Sequence, residues 1–365
     1  MISPLLLHCA RARPDLETLR GLAAEEVDWT ALVQQSVLHG LGPIVYWYLN
    51  QACPDTVPEG LHSQFRQNAR RNLLATAELL RLLEIFEAAS IPLVPFKGPA
   101  LAWSLYEDPA LREMSDLDVL VRPRDVDRAI GLLRSHGYRP WFSCVDRRFF
   151  AGSQEMPLVR EDGSVAVDLH WGLLPRYFPL DASVFFERLA PVPIAGRQVP
   201  TFCPEDLLLF LCVHNSKHGW TLLASLCDIA RLIDRCAVNW DDVLARARAS
   251  HVSRCLSLSL TLARDLLGAA TPELRRETLA ASAREQLMYG SGDVSMRFQL
   301  ALLERLTDKV RFWQGILAPT PADFESLHIP ASLFPAYYLA RPLRLAVKHG
   351  LLATRRLLAA GRMPA

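Results

Sequence analysis

Two aspartates separated by one residue form the first spacing in this sequence that suggests chemistry. Asp116 and Asp118 flank Leu117, in a stretch that continues with apolar residues at alternate positions. In a β-strand alternate side chains point to the same side, so the two carboxylates share one face. Carboxylates held this close repel each other unless they share a cation, and their oxygens suit Mg²⁺. The triplet therefore predicts a magnesium site.

A second segment with the same alternation supplies a third carboxylate. In residues 165–170 the apolar positions face one way, which places Asp168 and His170 together on the other face. Three carboxylates on adjacent strands can hold two metal ions about 4 Å apart, one ordering a triphosphate and the other activating an acceptor oxygen. We therefore predict Asp116, Asp118 and Asp168 as metal ligands and catalytic residues, with two Mg²⁺ ions and a nucleoside triphosphate (NTP) as substrate.

A lysine and a glycine stand where a predicted strand gives way to a helix. The segment Phe96-Lys97-Gly98-Pro99 combines a cation with a residue that lets the backbone approach phosphates closely. We therefore predict that Lys97 and Gly98 bind the nucleotide. Ser115 and His170, which flank the acidic positions, are predicted to contact it as well.

A cluster of basic residues lies in the helical part of the chain that follows. His214, Lys217 and His218 are spaced so that a helix presents them on one face, as it would to phosphates or a base. Histidines near a helix end are equally often packed, neutral residues with a structural role. We predict nucleotide binding by this cluster, with the structural interpretation kept open.

The elements that must position these residues change in character along the chain. Residues 1–90 read as helical, and Asp28 can cap a helix that reaches His39. Residues 203–365 contain successive runs of apolar residues at helical spacing. Between them, 91–202 carries five short strand-like runs, at 91–96, 117–121, 138–142, 156–159 and 165–170, with a helix predicted over 124–135. We therefore predict an α/β core with a helical region on each side.

Composition and charge restrict the partners and the location. The formal net charge is +1, which argues against a long nucleic acid as substrate. Eight cysteines without zinc spacing, and an N-terminus without a signal sequence, favour reduced thiols and a cytoplasmic protein. The basic residues of 337–362 are more typical of an ordinary amphipathic helix than of a peripheral membrane contact.

Over residues 91–170 the sequence resembles the nucleotidyltransferases related to DNA polymerase β, and within them a bacterial group of uncharacterised nucleotidyltransferases. The shared features stand here as Phe96-Lys97-Gly98, Leu105-Tyr106, Arg112, Asp116-Leu117-Asp118, Gly137-Tyr138 and Val167-Asp168-Leu169-His170-Trp171. The wider superfamily carries Gly-Gly or Gly-Ser nearer to its acidic pair, whereas Pro99 follows the glycine here.

The resemblance implies an α+β fold, in which a small mixed β-sheet is flanked by an N-terminal helical region and a C-terminal helical bundle. It implies that Asp116 and Asp118 bind metal, and that Asp168 binds the second metal and draws the acceptor proton. Arg112 is predicted to contact the nucleotide.

Three functions fit these features. The first is Mg²⁺-dependent transfer of a nucleoside monophosphate (NMP) from an NTP to a small-molecule, peptide or protein acceptor. The second is a non-catalytic nucleotide-binding protein that keeps the fold. The third is kinase-like transfer of the terminal phosphate, because the same metal geometry can stabilise either leaving group. The sequence favours the first.

Overall fold

A helical region opens the chain. The computed structural model describes residues 2–143, 146–274, 277–289 and 295–347. The first helices are α1 (Pro4–Cys9), α2 (Leu16–Ala24), α3 (Trp29–Leu38), α4 (Gly42–Ala52) and α5 (Glu59–Ala88). Asp28 caps α3 by accepting a hydrogen bond from the amide of Ala31. The predicted helix start at Asp28 is therefore confirmed.

A small mixed sheet follows. Its segment contains β1 (Val94–Pro95), α6 (Pro99–Leu105), β2 (Leu117–Leu120), α7 (Val126–Ser135), β3 (Tyr138–Pro140), β4 (Glu155–Arg160), β5 (Ala166–His170), α8 (Ala182–Phe186), β6 (Leu189–Ile194) and β7 (Arg197–Phe202). Five strands pair in the order β1-β2-β5-β4-β3, and β6 and β7 form a separate hairpin. In this five-stranded sheet β2 and β5 pair in parallel, and the other neighbouring strands are antiparallel. The predicted α+β fold with a mixed sheet is confirmed.

The first strand is shorter than the sequence predicts. A strand over 91–96 was expected, but only Val94 and Pro95 pair with β2. Ser90 has a positive φ of 55°, which turns the chain as α5 ends. Pro92 then has no amide proton to donate to a ladder. Residues 91–93 therefore pack beneath α5 or face solvent instead of extending the sheet.

Helices complete the described chain. They are α9 (Pro204–Lys217), α10 (Leu223–Arg235), α11 (Trp240–Ala249), α12 (Ser253–Leu267), α13 (Ala280–Tyr289), α14 (Met296–Leu302), α15 (Leu306–Leu317) and α16 (Pro321–Leu327). Residues 336–347 are helical as well. The helices predicted after residue 203 from the periodic apolar residues are therefore present.

The two faces of the sheet contact different cores. Leu117 and Val119 of β2 pack with α5 and α7 on one side. Leu120, from the opposite face, joins Phe96 in a core that also contains the N-terminal helices and α9 to α12. The side of β2 that carries Asp118 is therefore the side that faces α9. Because the terminal helical regions share this core, domain boundaries at residues 90 and 202 stay a prediction.

The basic C-terminal segment is partly used inside the protein. Asp323 is buried, and Arg341 and Arg344 both pair with its carboxylate, at 2.6 and 2.5 Å. These two arginines therefore stabilise the start of α16 and are not available to a partner surface. Lys348 and the basic residues after it lie outside the described residues. No helix in the described ranges is long and apolar enough to cross a membrane.

The cysteines in the described part of the chain are free thiols. Cys9, Cys212, Cys227 and Cys255 are buried, and burial raises the pKa of each thiol. These four therefore behave as small apolar residues of the helical cores, as the sequence predicts. Cys144 lies outside the described residues.

Candidate active site

The parallel pairing of β2 with β5 brings the predicted acidic positions together. Its register sets Asp118 opposite Asp168 and Leu120 opposite His170. Asp118, Asp168 and His170 each offer one ligand atom, and these atoms lie within 4.8 Å of one another. A cluster of two carboxylate oxygens and one imidazole nitrogen with this spacing can hold a metal ion.

This close group differs from the predicted trio in one member. Asp116 precedes the first paired residue of β2, so the ladder does not hold its side chain beside Asp168. It still lines the same cavity, and its charge acts on both Asp118 and Asp168. His170, predicted as a nucleotide contact, takes the third position in the group. Whether Asp116 binds metal stays a prediction.

Asp118 is the most tightly surrounded of the acids. Its side chain is 4% exposed, and its Oδ1 lies 2.6 Å from Nζ of Lys97 and 3.2 Å from Nε2 of His170. Burial opposes ionisation of this carboxyl, but the charge of Lys97 and the hydrogen bond from His170 outweigh it and hold its pKa below the ordinary value. Asp118 is therefore a carboxylate at neutral pH.

The environment of Asp168 raises the pKa of its carboxyl, in contrast to that of Asp118. Burial, followed by the negative charges of Asp116 and Asp118, raises the pKa of its carboxyl to about 7. Burial and Asp118 also raise the pKa of Asp116. The site therefore carries more negative charge than Lys97 neutralises, and an additional cation would relieve the repulsion.

Glu155 extends the acidic site from the neighbouring strand. The antiparallel register of β4 and β5 sets Glu155 opposite His170, and its Oε2 lies 3.4 Å from Nδ1 of that imidazole. His170 thus lies between Glu155 and Asp118, which fixes the orientation of its ring. The sequence did not identify Glu155, because its position depends on a strand register that no local pattern encodes.

Gly98 connects the lysine turn to the acidic strand. Its φ is +53°, and a Cβ at this position would lie 3.1 Å from the backbone oxygen of Asp116. Only glycine adopts this conformation without strain while allowing so close an approach. Gly98 therefore fixes the distance between the Lys97 turn and the start of β2.

Replacing Gly98 by alanine should disturb the site more than the fold. We expect Gly98→Ala to lower the free energy of unfolding by about 1–3 kcal/mol, because of the positive φ and the contact with the Asp116 carbonyl. NTP binding should weaken as Lys97 moves away from Asp118. Urea unfolding and nucleotide titration measure both effects. Gly131→Ala, in an open position of α7, is the matched control and should be neutral or stabilising. Equal behaviour of the two variants would contradict this role of Gly98.

The end of α9 forms the wall opposite the acidic strands. His214, Lys217 and His218 all line the cavity, and the two imidazole rings lie 4.7 Å apart. Burial, followed by the charge of Lys97, lowers the pKa of His214 well below its ordinary value, so this ring is neutral at pH 7. Lys217 forms no ion pair with any described residue. It is therefore a cation available to a ligand.

Arg112 is held by a protein carboxylate. Its Nε and Nη2 donate to Asp228 of α10 at 3.0 Å each, and the hydroxyl of Tyr106 donates to the same carboxylate at 2.6 Å. This bidentate pair uses two of the three guanidinium nitrogens, and the contact of Arg112 with the nucleotide stays a prediction. The pair joins α10 to the segment that leads into β2. Arg112 therefore positions the acidic strand, even though it also lines the cavity.

One cavity of about 390 Å³ collects all of these side chains. Ser115 is exposed at its edge and donates a hydrogen bond to Asp116. The predicted site residues that line the cavity are Lys97, Gly98, Arg112, Ser115, Asp116, Asp118, Asp168, His170, His214, Lys217 and His218. The fold thus brings residues from β2, β5, α9 and the Lys97 turn to a single polar chamber.

The sequence and the fold were compared with those of known proteins. The family described as uncharacterised nucleotidyltransferases matches residues 25–268. No curated protein matches the chain. The lincomycin-bound structure of the lincosamide antibiotic adenylyltransferase LnuA is 18% identical, with a TM-score of 0.31, over 44% of this chain and 97% of its own. A nucleotidyltransferase-like antigenic protein from Paracoccidioides brasiliensis is 18% identical, with a TM-score of 0.32, over 54% of this chain and 92% of its own.

The family match extends far beyond the motifs of residues 91–170. It begins before α3 and ends with α12, so it includes the acidic strands, α9 and the Arg112–Asp228 pair. The prediction of a nucleotidyltransferase is confirmed by this match, which spans more than half of the chain. The chain belongs to the family of uncharacterised nucleotidyltransferases.

Proposed function

We propose that this protein transfers a nucleoside monophosphate from an NTP to an acceptor in a Mg²⁺-dependent reaction centred on Asp118 and Asp168. The observation that carries this proposal is the close group of Asp118, Asp168 and His170 in a polar cavity with basic residues on the opposite wall. A triphosphate needs cations, and a divalent metal needs carboxylates. The two walls of this cavity provide both.

The residues fit a divalent cation. Asp118 and Asp168 provide the hard oxygen ligands that Mg²⁺ prefers, and the raised pKa of Asp168 reflects its burial and then the negative charges of Asp116 and Asp118, which a cation would compensate. His170 is a ligand that Mn²⁺ accepts as well. Asp116 lines the same cavity, and we assign it to a second ion. Such ions, when bound, would neutralise the triphosphate and lower the pKa of the attacking oxygen.

The chain's own residues bind and orient the nucleotide. Lys97 lies beside Asp118, and Lys217 faces it from α9, so phosphates placed between the two walls meet two cations. The neutral ring of His214 offers a hydrogen bond without adding charge. Arg112 and Asp228 pair at 3.0 Å and thereby join α10 to the wall of the cavity.

We assign Asp168 the role of accepting the acceptor's proton. Its carboxyl lies opposite Asp118 on the neighbouring strand and lines the same cavity, which supports this assignment. In the proposed step the acceptor oxygen attacks the α-phosphorus, the bond to the bridging oxygen breaks and pyrophosphate leaves. The proton of the acceptor hydroxyl passes to a carboxylate oxygen of Asp168.

Removing the unpaired cation of α9 should weaken nucleotide binding. We expect Lys217→Gln to reduce the affinity for Mg²⁺·NTP by about 3- to 10-fold, as for one partly exposed charge contact. The difference should shrink as salt is added, because exposed charges are screened. Lys309→Gln, in α15, is the matched control. Isothermal titration at two salt concentrations measures the effect, and equal affinities of the two variants would argue against phosphate binding at Lys217.

The proposed reaction is tested by the mass of its product. The protein should be incubated with Mg²⁺ and each of the four NTPs in the presence of candidate small molecules, peptides and proteins. Mass spectrometry distinguishes addition of NMP, which we expect, from addition of a single phosphate, which would show a kinase-like reaction. Mg²⁺-dependent NTP binding without turnover across broad screens would favour a non-catalytic binding protein. A cytoplasmic location stays a prediction.

A further inference from the structure

A second chamber adjoins the catalytic cavity. Its volume is about 270 Å³, and Gly40, Leu41, Ile44 and Ala224 line it without lining the catalytic cavity. The two chambers share a wall made of Arg112, Glu113, Met114, Ser115, Leu222, Ser225 and Asp228. We call this space the second lobe. It opens beside the acidic strand and is not needed to explain binding of the nucleotide.

The shape of the second lobe depends on two glycines that precede or begin α4. Gly40 has a φ of +67°, and a Cβ there would lie 3.8 Å from Oε2 of Glu113. A Cβ at Gly42 would lie 3.3 Å from Oε1 of the same carboxylate. The Glu113 carboxylate thus lies against the Gly40–Gly42 turn, where the amide of Gly42 donates a hydrogen bond to it.

Glu113 is a carboxylate without an ion-pair partner in the part of the chain that the structure describes. It is half-buried, and Arg71 nearby is exposed and donates to the Met114 carbonyl at 3.4 Å. Burial raises the pKa of Glu113, with Arg71 opposing this effect. A ligand with a positive charge would pair with the carboxylate of Glu113 and stabilise its ionised form.

The charges of the two chambers differ in kind. The catalytic cavity contains Lys217, which pairs with no acid among the described residues, and the carboxylates proposed to bind metal. In the second lobe Arg112 is neutralised by Asp228 at 3.0 Å. Arg71, which also lines the lobe, is exposed to solvent and faces the carboxylate of Glu113, and none of the acids proposed to bind metal is among the described residues that line the lobe. A triphosphate with its metal therefore fits the catalytic cavity and not the second lobe.

The remaining wall of the second lobe is apolar, and the space is small. Leu41, Ile44, Leu111 and Leu222 line it. A volume of about 270 Å³ accommodates a molecule of roughly monosaccharide size and excludes a folded protein segment or a nucleic-acid helix. Hydroxyls of such a molecule would meet Ser115 and Ser225 at the shared wall.

We propose that the second lobe binds the nucleotide acceptor, and that the acceptor portion bound there is a small hydroxylated molecule with an ammonium group that pairs with Glu113. The inference rests on the proposed function, because it assigns the second substrate of that reaction. In this arrangement the Arg112–Asp228 pair lies between the acceptor and α9. A hydroxyl of the acceptor is directed past Ser115 toward Asp168.

Three sugars of nearly equal size and different charge test this assignment. Glucosamine, glucose and glucuronate should be titrated into the full-length protein saturated with Mg²⁺ and a non-hydrolysable NTP analogue, with ligand-detected NMR as the readout. We expect glucosamine to bind at least about tenfold more tightly than glucose, because its ammonium group gains a charge-assisted hydrogen bond to Glu113. Glucuronate should bind most weakly, because its carboxylate is repelled by Glu113.

Two variants locate the binding. Glu113→Gln keeps an oxygen for the Gly42 amide and should reduce glucosamine to the affinity of glucose. Ala224→Leu fills the second lobe and should weaken all three sugars. Ala224→Leu, which lies outside the catalytic cavity, should bind Mg²⁺·NTP as the wild type does.

Absence of glucosamine binding would overturn the inference, and so would sugar affinities that are unchanged in both variants. In either case binding of NTP would still support the proposed function. Loss of Mg²⁺·NTP binding in the wild type would instead refute the proposed function itself.

Discussion

Asp118→Asn is expected to lower nucleotidyl transfer by at least about 1000-fold, because it removes one of the two carboxylates proposed to hold the metal. Asp118 is buried, and its Oδ1 contacts both Lys97 and His170. The amide of asparagine keeps the size of the side chain but neither the charge nor the full set of oxygen ligands. Lys97 also loses its partner, so we expect a loss of stability of about 1–3 kcal/mol.

The measurement for Asp118→Asn has two parts. Transfer of label from α-phosphate-labelled NTP should be followed at a temperature where urea unfolding shows that the variant is folded. Glu161→Gln, an exposed acid on the turn between β4 and β5, is the control and should transfer label at the wild-type rate. Wild-type transfer by folded Asp118→Asn would show that the catalytic centre lies elsewhere.

Asp168→Asn is expected to abolish tight Mg²⁺ binding and transfer while making the metal-free protein more stable. Asp168 ionises next to Asp116 and Asp118 in a partly buried site, and its folded-state pKa is about 7 against an ordinary value of 3.8. Asparagine removes this repulsion. We expect the variant to gain about 1–3 kcal/mol at pH 8 without metal, a range reduced for partial solvent screening.

The pH dependence gives the sign of this effect. Between pH 4 and 7 the unfolded chain has released the Asp168 proton while the folded protein keeps it, so ionisation destabilises the folded state progressively as pH rises. The stability gained by Asp168→Asn should therefore be small near pH 4, grow up to pH 7 and level off above it. Urea unfolding of both proteins in EDTA measures the difference. A variant less stable than the wild type at pH 8 would contradict the claim that ionised Asp168 destabilises the metal-free protein.

Local patterns in the sequence were sufficient to predict the acidic strands. Alternation around Asp118 and Asp168 predicts which side chains share a face, and the structure places Leu117 and Val119 in the opposite core. The helix start at Asp28 followed from its capping chemistry, since it depends on neighbours in the chain. These features depend on the backbone period and on contacts a few residues apart.

Contacts between distant segments could not be predicted in this way. Arg112 pairs with Asp228 across 116 residues, and that contact gives it a positioning role in addition to its predicted contact with the nucleotide. Glu155 reaches His170 only because β4 is antiparallel to β5. The second lobe depends on Gly40 lying beside Glu113, and these two residues are far apart in the sequence. In each case the decisive information is a register or a helix packing, which one sequence does not specify.

The central claim is that Asp118 and Asp168 hold the divalent cation that accompanies the NTP. Its most direct test is a crystal structure with Mn²⁺ and a non-hydrolysable NTP, in which anomalous scattering locates the metal. We predict a Mn²⁺ peak bounded by the carboxylates of Asp118 and Asp168, with the triphosphate directed toward Lys97 and Lys217. A bound nucleotide whose metal lies away from these two carboxylates would contradict the claim.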